Sequence, residues 1–234
     1  MCGRYVSPDD AAIEREFNLV RAELKFPENF NVAPTQAVPA VRSIEGVRKV
    51  SLMRWGLIPF FARGVPGAYS TINARVETLE TAASYRGPWK SGQRCIVPVS
   101  GFYDWHVNDD GKKQPFYVTC AGREVYGLAG LWDSSARGDG TSVESCTIIT
   151  MAANSLMAGI HNAAGKQRMP VILRREDYDA WLAGSIDDAR AVIKEYPSES
   201  MVAWPVSARV NTAKNNDAKL IAPVAWTDMP RAAP

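Results

Sequence analysis

Short runs in which apolar and polar residues alternate recur along this chain, and that period of two predicts β-strands. The predicted strands are 36–43, 47–58, 94–107, 114–120, 124–132, 145–151 and 170–173. Turn signals separate two pairs of neighbours, Glu45-Gly46 after the first strand and Asp110-Gly111 after the third. Consecutive strands joined by such short turns favour an antiparallel sheet.

Five other segments have a helical pattern: 8–17, 74–85, 153–159, 175–183 and 187–196. In the first, Ser7 suits the N-cap and Pro8 the first helical position, and Asp9 and Asp10 follow at the positive end of the helix dipole. No internal repeat or clear linker interrupts the sequence. The pattern therefore predicts an α+β fold in a single domain over residues 1–234, with a mostly antiparallel, curled or barrel-like sheet flanked by helices.

The composition agrees with a folded, soluble chain. Of the 234 residues, 46% are hydrophobic and 22% are charged, which is ordinary for a globular domain. The beginning of the sequence has no apolar signal region, and no stretch approaches the roughly 20 apolar residues that span a bilayer. These features predict a cytoplasmic or nucleoid-associated protein that does not act at a membrane.

Charge is balanced overall but uneven along the chain. Lys and Arg number 27 against 25 Asp and Glu, and the net charge of +2 neither requires nor excludes nucleic acid. The segments 81–103 and 151–175 contain no acidic residue, yet they carry Arg86, Lys90, Arg94, Lys166, Arg168, Arg174 and Arg175. Folding could gather these segments into one positive groove, or the cations could be scattered and solvated.

Cysteine usage singles out one residue at the chain end. Three of the four cysteines lie in apolar, strand-like runs and are predicted to be buried: Cys95, Cys120 and Cys146. No pair has the C-x-x-C spacing and the only histidines are His106 and His161, so no metal or other cofactor is expected. Cys2 lies outside any such run.

Cys2 directly follows Met1, which cytosolic aminopeptidases usually remove before a small residue. Removal would leave a free α-amine beside the Cys2 thiol, two groups with reference pKa values near ~8 and ~8.5. Such an aminothiol condenses with an aldehyde to an imine and then closes to a thiazolidine ring, which an internal cysteine cannot form. Taken alone, the residue is equally compatible with having no special role.

A series of motifs follows in a specific order through the chain. It comprises M-C-G-R at 1–4, N-V-A-P-T-Q at 31–36, W-G-L-I-P at 55–59, I-N-A-R-V-E-T at 72–78, R-C-I-V-P-V-S-G-F-Y-D-W at 94–105, T-I-I-T at 147–150, I-H at 160–161, R-M-P-V-I-L at 168–173 and V-S-A-R-V-N at 206–211. With these motifs the chain resembles the SOS response-associated peptidase family over about residues 2–222, which leaves the C-terminal end as a loose tail. The resemblance implies a monomeric sensor and shield of abasic sites in single-stranded DNA.

The resemblance also implies which residues carry the chemistry. Cys2 would form the thiazolidine with the ring-opened sugar, and Asn73 would lie near its amine and hold an oxygen or nitrogen in place. His161 would act as general acid–base because its reference pKa of ~6.5 is close to neutral pH, and Asp104 would move protons beside the imine. Structural roles stay open for each: a turn or cap for Asn73, a structural ring for His161 and an exposed strand position for Asp104.

A DNA-binding surface is implied as well. Phosphate contacts would come from Arg4, Arg75, Arg86 and Arg168. Stacking on bases or wedging between strands would come from Pro34, Trp55, Phe60, Phe61 and Trp105, and Thr150 would offer a hydroxyl near the same site. The alternatives are burial for the two tryptophans, pairing of Arg75 with Glu77, and an ordinary strand position for Thr150.

Two features depart from the family pattern. Asp104 stands where the family usually has Glu in G-F-Y-E-W, so its carboxylate loses one methylene of reach. Either the backbone comes closer, a water bridges the gap, or the acid–base step is weaker. The segment N-A-A-G-K-Q at 162–167 separates His161 from Arg168, whereas many members place Arg almost directly after this His. We expect that loop to be mobile and to contact phosphate.

Three functions are compatible with these residues. The first is covalent capture of abasic sites through Cys2, with weak lyase activity because an imine at C1 of the sugar permits β-elimination. The second, following the family name, is a cysteine peptidase with Cys2 as nucleophile and His161 as base, whose substrate could be only its own Met1. The third is a non-catalytic single-strand binder, which would bind intact DNA equally well and form no adduct.

Overall fold

The computed structural model describes residues 2–19, 25–162 and 167–226. Within these ranges the strands are β1 Arg4–Ser7, β2 Asn29–Val32, β3 Ala37–Ile44, β4 Val47–Trp55, β5 Asn73–Arg75, β6 Arg94–Val99, β7 Gly101–Val107, β8 Lys113–Cys120, β9 Tyr126–Ala136, β10 Ser142–Ala152, β11 Arg168–Pro170, β12 Ile172–Leu173 and β13 Met201–Pro205. The α-helices there are α1 Asp10–Phe17, α2 Arg86–Lys90, α3 Ser155–Ile160, α4 Tyr178–Ala183 and α5 Ile186–Ala191.

Five of the strands close into a barrel. Their order around it is β10, β4, β3, β6 and β9, and β9 pairs with β10 to complete the ring. Neighbouring strands are antiparallel except for β4 and β10, which run parallel. The short strand β5 also pairs with β10 in parallel, so the Asn73 that it carries lies at the side of the barrel.

A second, open sheet packs against the barrel. Its order is β13, β8, β7, β1 and β2, with every neighbour antiparallel. One hydrophobic cluster joins the two sheets, because it contains Tyr5 and Phe102 from the open sheet together with Trp55 and Cys146 from the barrel. Cys2 belongs to the same cluster. The predicted α+β fold with a mostly antiparallel, barrel-like sheet is thus confirmed.

The predicted strand 94–107 is two strands that belong to different sheets. β6 pairs with β9 in the barrel, whereas β7 pairs with β1 and β8 in the open sheet. The chain passes from one sheet to the other at Ser100, whose N–H donates to the Val6 carbonyl over 2.9 Å. The run of apolar residues is continuous because both halves are buried, and so the pattern conceals the break.

The predicted helix 74–85 is wrong, because no α-helix forms in this range. Residues Asn73–Arg75 form β5, a 3-10 turn follows at Val76–Thr78, and α2 begins at Arg86. Pairing with β10, in which Asn73 lies opposite Ile148, satisfies the β5 backbone and overrides the local helical pattern.

The other helices differ from prediction mainly at their ends. The N-cap of α1 is Asp9 rather than Ser7, and its Oδ1 accepts the Ala12 N–H over 2.8 Å. The predicted helix 187–196 is shorter, since α5 ends at Ala191. None of the helices in the described ranges is long and apolar enough to cross a membrane.

Candidate functional site

The N-terminal segment places Cys2 inside the protein. The residue is fully buried, and its Sγ lies 3.9 Å from the Arg4 carbonyl oxygen. Asn73 Nδ2 donates to the Cys2 carbonyl oxygen over 2.9 Å. The side-chain oxygen of Asn73 is buried and makes no hydrogen bond within the described residues. This amide therefore holds the Cys2 backbone and keeps one acceptor for a further group.

Asp104 and His161 form a pair beside Cys2. The Nδ1 atom of His161 lies 2.8 Å from Asp104 Oδ1, which also accepts the N–H of Trp105 over 2.9 Å. β7 delivers the carboxylate, and His161 caps the C-terminal end of α3. Asp104 is only 2% exposed, so the structure rejects the alternative of an exposed strand position.

The shorter Asp side chain reaches its partner directly. The 2.8 Å separation of the Asp104 carboxylate from the His161 ring needs no bridging water. Donation from Nδ1 to the carboxylate leaves the lone pair of a neutral imidazole on Nε2, where it can accept a proton. With this geometry the imidazole can accept a proton on Nε2 while the carboxylate holds its Nδ1–H.

Burial controls the titration of the Cys2 thiol. Desolvation, together with the negative charge of Asp104, raises the pKa of Cys2 to about 12. A thiol with that pKa is protonated at neutral pH, and it needs a base to react as a nucleophile. The Asp104 contribution also shows that the carboxylate is close enough to act on the thiol electrostatically.

Three interior side chains fix the strand that carries Asn73. Trp55 Nε1 donates to the Ile72 carbonyl over 3.0 Å, the Tyr85 hydroxyl to the Asn73 carbonyl over 3.2 Å, and Thr150 Oγ1 to the Ala74 carbonyl over 3.3 Å. Trp55 and Thr150 are fully buried, so the predicted contacts of these two with DNA do not fit the structure. Their hydrogen bonds position the neighbouring strand instead. Sequence analysis missed Tyr85, since a tyrosine near the end of a presumed helix carries no signal of this role.

Comparison with known proteins identifies the family. The family model described as SOS response associated peptidase matches residues 1–213. The chain belongs to this family. The abasic site processing protein YoqW of Bacillus subtilis is 36% identical over 94% of this chain and 99% of its own length. The abasic site processing protein HMCES of Xenopus tropicalis is 28% identical over 97% of this chain and 79% of its own length.

Solved structures share the fold of this SOS response associated peptidase family member. A crystal structure of a protein from Bordetella bronchiseptica superposes with a TM-score of 0.79 at 28% identity, over 88% of this chain and 100% of that chain. Another from Bacteroides thetaiotaomicron has a TM-score of 0.83 at 24% identity, over 96% and 100% of the two chains. The barrel and the open sheet thus form an arrangement found in other solved proteins.

Some of the predicted DNA-contacting residues are accessible in this family member. Arg75 and Arg86 are exposed, and Pro34 and Trp105 are partly exposed. Phe60 and Phe61 are exposed by 63% and 54%, and their rings pack edge to face at 5.4 Å on a 3-10 turn at Phe60–Ala62. Trp105 donates from Nε1 to Asn211 Oδ1 over 2.9 Å, which leaves its ring in a fixed orientation.

Two of the predicted phosphate ligands are engaged within the protein. Arg4 donates to Asn31 Oδ1 over 2.8 Å and to the Val210 carbonyl over 2.9 Å. Arg168 forms a two-bond pair with Glu77, both bonds 2.9 Å long, and also donates to Thr150. Direct phosphate contact by Arg168 does not fit this pairing. The alternative left open by the sequence was a pair of Glu77 with Arg75, and in the structure Glu77 pairs with Arg168.

The predicted positive groove is smaller than the sequence suggested. Arg94 is buried and donates to the carbonyls of Trp181 and Gly184 at the end of α4. Lys166 and most of the loop that was expected to touch phosphate, 163–166, lie outside the described residues. Arg94 and Arg168 are turned inward, whereas Arg75, Arg86, Lys90 and Arg174 are exposed.

Three polar side chains that sequence analysis missed hold the turn with the exposed phenylalanines. Asp133 Oδ2 accepts the Phe60 N–H over 2.8 Å, and Ser135 Oγ accepts the Gly64 N–H over 2.9 Å. Ser145 Oγ accepts the Ile58 N–H over 2.7 Å. All three are buried at the adjoining strands β9 and β10. Polar residues inside apolar strand runs were the signal that could have revealed them.

Proposed function

We propose that this protein processes abasic sites in single-stranded DNA by bonding covalently to them through Cys2. The observation that carries the proposal is the convergence of Cys2, Asn73, Asp104 and His161, which are scattered over the sequence but adjoin in the fold. The names of the relatives, abasic site processing proteins, support the same conclusion.

The chemistry requires a free α-amine at Cys2, and therefore removal of Met1, which lies outside the described residues. The amine attacks the aldehyde carbon of the ring-opened abasic sugar, and water leaves to give an imine. The thiol sulfur then adds to the same carbon, while the thiol proton is transferred to the imine nitrogen. One water is released overall, and the product is a thiazolidine that links protein to DNA.

The neighbouring side chains supply what this sequence of steps needs. Asn73 fixes the Cys2 backbone, and its remaining acceptor suits an amine or a sugar hydroxyl. The buried Cys2 thiol must lose its proton as the sulfur adds, and His161 held by Asp104 is the base for that transfer. Asp104 also stabilises the positive charge of a protonated imine. Weak lyase activity follows if β-elimination occurs before the ring closes.

The accessible residues suit an unpaired strand. Arg75 and Arg86 offer charge to phosphates, and the exposed rings of Phe60 and Phe61 offer stacking faces or a wedge against a paired strand. Pro34 and Trp105 are the further partly exposed candidates for base contacts.

The test is the intact mass of the protein after incubation with a single-stranded oligonucleotide that contains one abasic site. We expect a heat-stable product whose mass is the sum of the two minus one water. Cys2→Ala should abolish it while leaving binding to the oligonucleotide nearly intact, because phosphate contacts do not involve the thiol. Cys120→Ala is the matched control, since it removes another buried thiol. A heat-stable adduct of Cys2→Ala at the wild-type level would refute the proposal.

The same samples separate the two other functions. A cysteine peptidase would cleave peptides without DNA, yet it usually relies on a thiolate of lowered pKa, and burial at Cys2 has the opposite effect. Removal of Met1 by the protein itself would appear in the mass before any DNA is added. A purely non-covalent binder would show equal affinity for intact and abasic strands and no mass increase.

A further inference from the structure

The end of α3 is attached to strand β7 at more than one point. β1 pairs with β7 only as far as Arg4 opposite Tyr103, within the described residues, so the following part of β7 is not covered by β1. The chain around the C-terminal end of α3 lies along that part. Its contacts on the strand side are with Asp104, His106 and Val107.

The side chain of Asn162 bonds the backbone of β7 where a neighbouring strand would otherwise do so. Its Oδ1 accepts the Val107 N–H over 2.7 Å, and its Nδ2 donates to the Val107 carbonyl over 2.9 Å. A side-chain amide has the same donor and acceptor pair as a peptide group, so it can bond both backbone groups of one residue. Loss of the amide would leave two polar groups of a partly buried backbone without these partners.

His106 provides the second attachment. Its Nδ1 lies 2.8 Å from the Gly159 carbonyl oxygen in the last turn of α3. Its Nε2 is 3.5 Å from the Asn162 amide nitrogen, so the two attachments adjoin. The Trp226 ring packs edge to face on the His106 ring at 5.4 Å and supports it from the outside.

These attachments flank His161 on both sides. Gly159, two residues before His161, is held through its carbonyl oxygen by His106. Asn162, directly after His161, is held through its side chain by Val107. The His161 N–H donates to the Met157 carbonyl over 2.7 Å, and the His161 ring bonds Asp104.

We infer that Asn162, assisted by His106, is a positioning residue that clamps the His161 ring onto Asp104. The inference rests on the proposed function for its consequence, the rate of the covalent step, but the clamp itself can be observed without DNA. Misplacing an acid–base group by about 1 Å can cost about 10²-fold in rate. We expect a loss of about 10- to 100-fold in the rate of adduct formation when the clamp is removed.

The experiment compares Asn162→Ala, Asn162→Asp and Gln114→Ala with the unchanged protein. Asn162→Asp keeps an acceptor for the Val107 N–H but loses the donor to the Val107 carbonyl. Gln114→Ala is the control for loss of a side-chain amide, because Gln114 Nε2 also bonds backbone carbonyls, that of Pro115 in β8 and that of Val206 just after β13, both at 2.9 Å. The thermal midpoint of each variant checks that it is folded.

The first readout is the ring-nitrogen NMR spectrum of the DNA-free protein. The chain has only two histidines, so a His161→Gln variant assigns both rings. We expect the Nδ1–H signal of His161, which reports its bond to Asp104, to shift or broaden in Asn162→Ala, to change less in Asn162→Asp and to stay in place in Gln114→Ala. The second readout is the single-turnover rate of adduct formation, which should fall in the same order.

The outcomes separate this inference from the proposed function. An Asn162→Ala protein that is folded and keeps both the His161 signal and the wild-type rate overturns the inference. A changed signal with an unchanged rate also overturns it, because the ring would then not need to be positioned. If the unchanged protein forms no adduct, the proposed function fails, and the NMR signal alone still decides whether Asn162 holds the ring.

Discussion

Asp104 carries the proposed proton transfers at the scale of a single residue. Its carboxylate is 2.8 Å from the His161 ring, accepts a backbone N–H and raises the pKa of the Cys2 thiol. It also lies in a site with almost no exposure to solvent. A buried carboxylate with these partners orients the imidazole and balances the positive charge that forms on it.

Substitutions at Asp104 should separate charge from shape. Asp104→Asn keeps the size and an acceptor oxygen but removes the charge, so we expect adduct formation to slow by roughly 10²-fold or more. Asp104→Glu keeps the charge and should retain most of the rate, although an extra methylene in a buried site costs about 1–3 kcal/mol of stability. Rates of crosslink formation and reversal, measured with the thermal midpoint, check both. A normal rate in Asp104→Asn would mean that the acid–base work of His161 does not need the charge of Asp104.

Substitutions of Arg75 and Arg168 should have different effects, although both residues were predicted to contact phosphate. Arg75 is exposed, so Arg75→Glu should weaken DNA binding and reduce the slope of affinity against salt by about 0.7 per lost contact with a single strand. Arg168 is paired with Glu77 and bonds Thr150, so Arg168→Ala should lower stability by about 1–3 kcal/mol. Binding isotherms at several salt concentrations and urea unfolding distinguish the two. An unchanged salt slope in Arg75→Glu would make that residue a structural one.

At the scale of elements, the barrel supports the short segments that we propose to face DNA. β5 is only three residues long, yet side chains from Trp55, Tyr85 and Thr150 bond its backbone or that of the residue before it. The 3-10 turn that exposes Phe60 and Phe61 is held in the same way by strands β9 and β10. Short irregular segments can present side chains accurately when a closed sheet satisfies their backbone.

Removal of the Asp133 carboxylate should loosen the turn that exposes Phe60 and Phe61. Its hydrogen bond to the Phe60 N–H is charge-assisted and buried, and such a bond contributes about 1.5–3 kcal/mol. We therefore expect the Phe60 amide to exchange its hydrogen about 10- to 100-fold faster in Asp133→Ala. Hydrogen exchange followed by mass spectrometry measures this, with Asp139→Ala, at an exposed turn, as the control. Equal exchange in the two variants would show that the strands alone hold the turn.

At the scale of the whole molecule, the core contains several ionisable groups that are kept neutral. Burial raises the pKa of Cys146 to about 12 and that of Cys120 to about 11, and it raises the pKa of Cys95 strongly. With Cys2, all four free thiols of the protein are buried. The folded state therefore holds these protons at a pH where an unfolded chain releases them.

The stability of the fold should decrease in alkaline solution. The thiols are neutral in both states below their unfolded pKa of about 8.5–9, so their full contribution is present there. Above that pH the unfolded chain ionises first, and stability is lost until the pH reaches the folded values near 11 to 12. Each thiol lowers the free energy of unfolding by up to about 1.4 kcal/mol for each pH unit in this range. Urea unfolding between pH 8 and 10.5 measures how the free energy of unfolding falls with pH. In Cys146→Ala this fall should be smaller by the share of one thiol. The same fall in both proteins would contradict the prediction.

The sequence by itself determined the family and the strand pattern, and it singled out the residues that we propose to react. A strand that is buried on one face alternates in polarity, and the resemblance rests on motifs of a few adjacent residues, so both signals are local. Cys2, Asn73, Asp104 and His161 were predicted from such motifs, and the structure brings them together. Their proposed roles remain to be tested by the experiments above.

The tertiary structure alone decided which polar and aromatic side chains face inward. Trp55 and Thr150 are buried and Arg168 pairs with Glu77, and none of this can be read from the motifs that contain these residues. The same holds for the reach of Asp104, for the break at Ser100 and for the clamp by Asn162. Each depends on a contact between residues far apart in the chain. Burial and hydrogen bonding at such contacts override local preference, because a buried polar group must find its partner wherever the fold provides one.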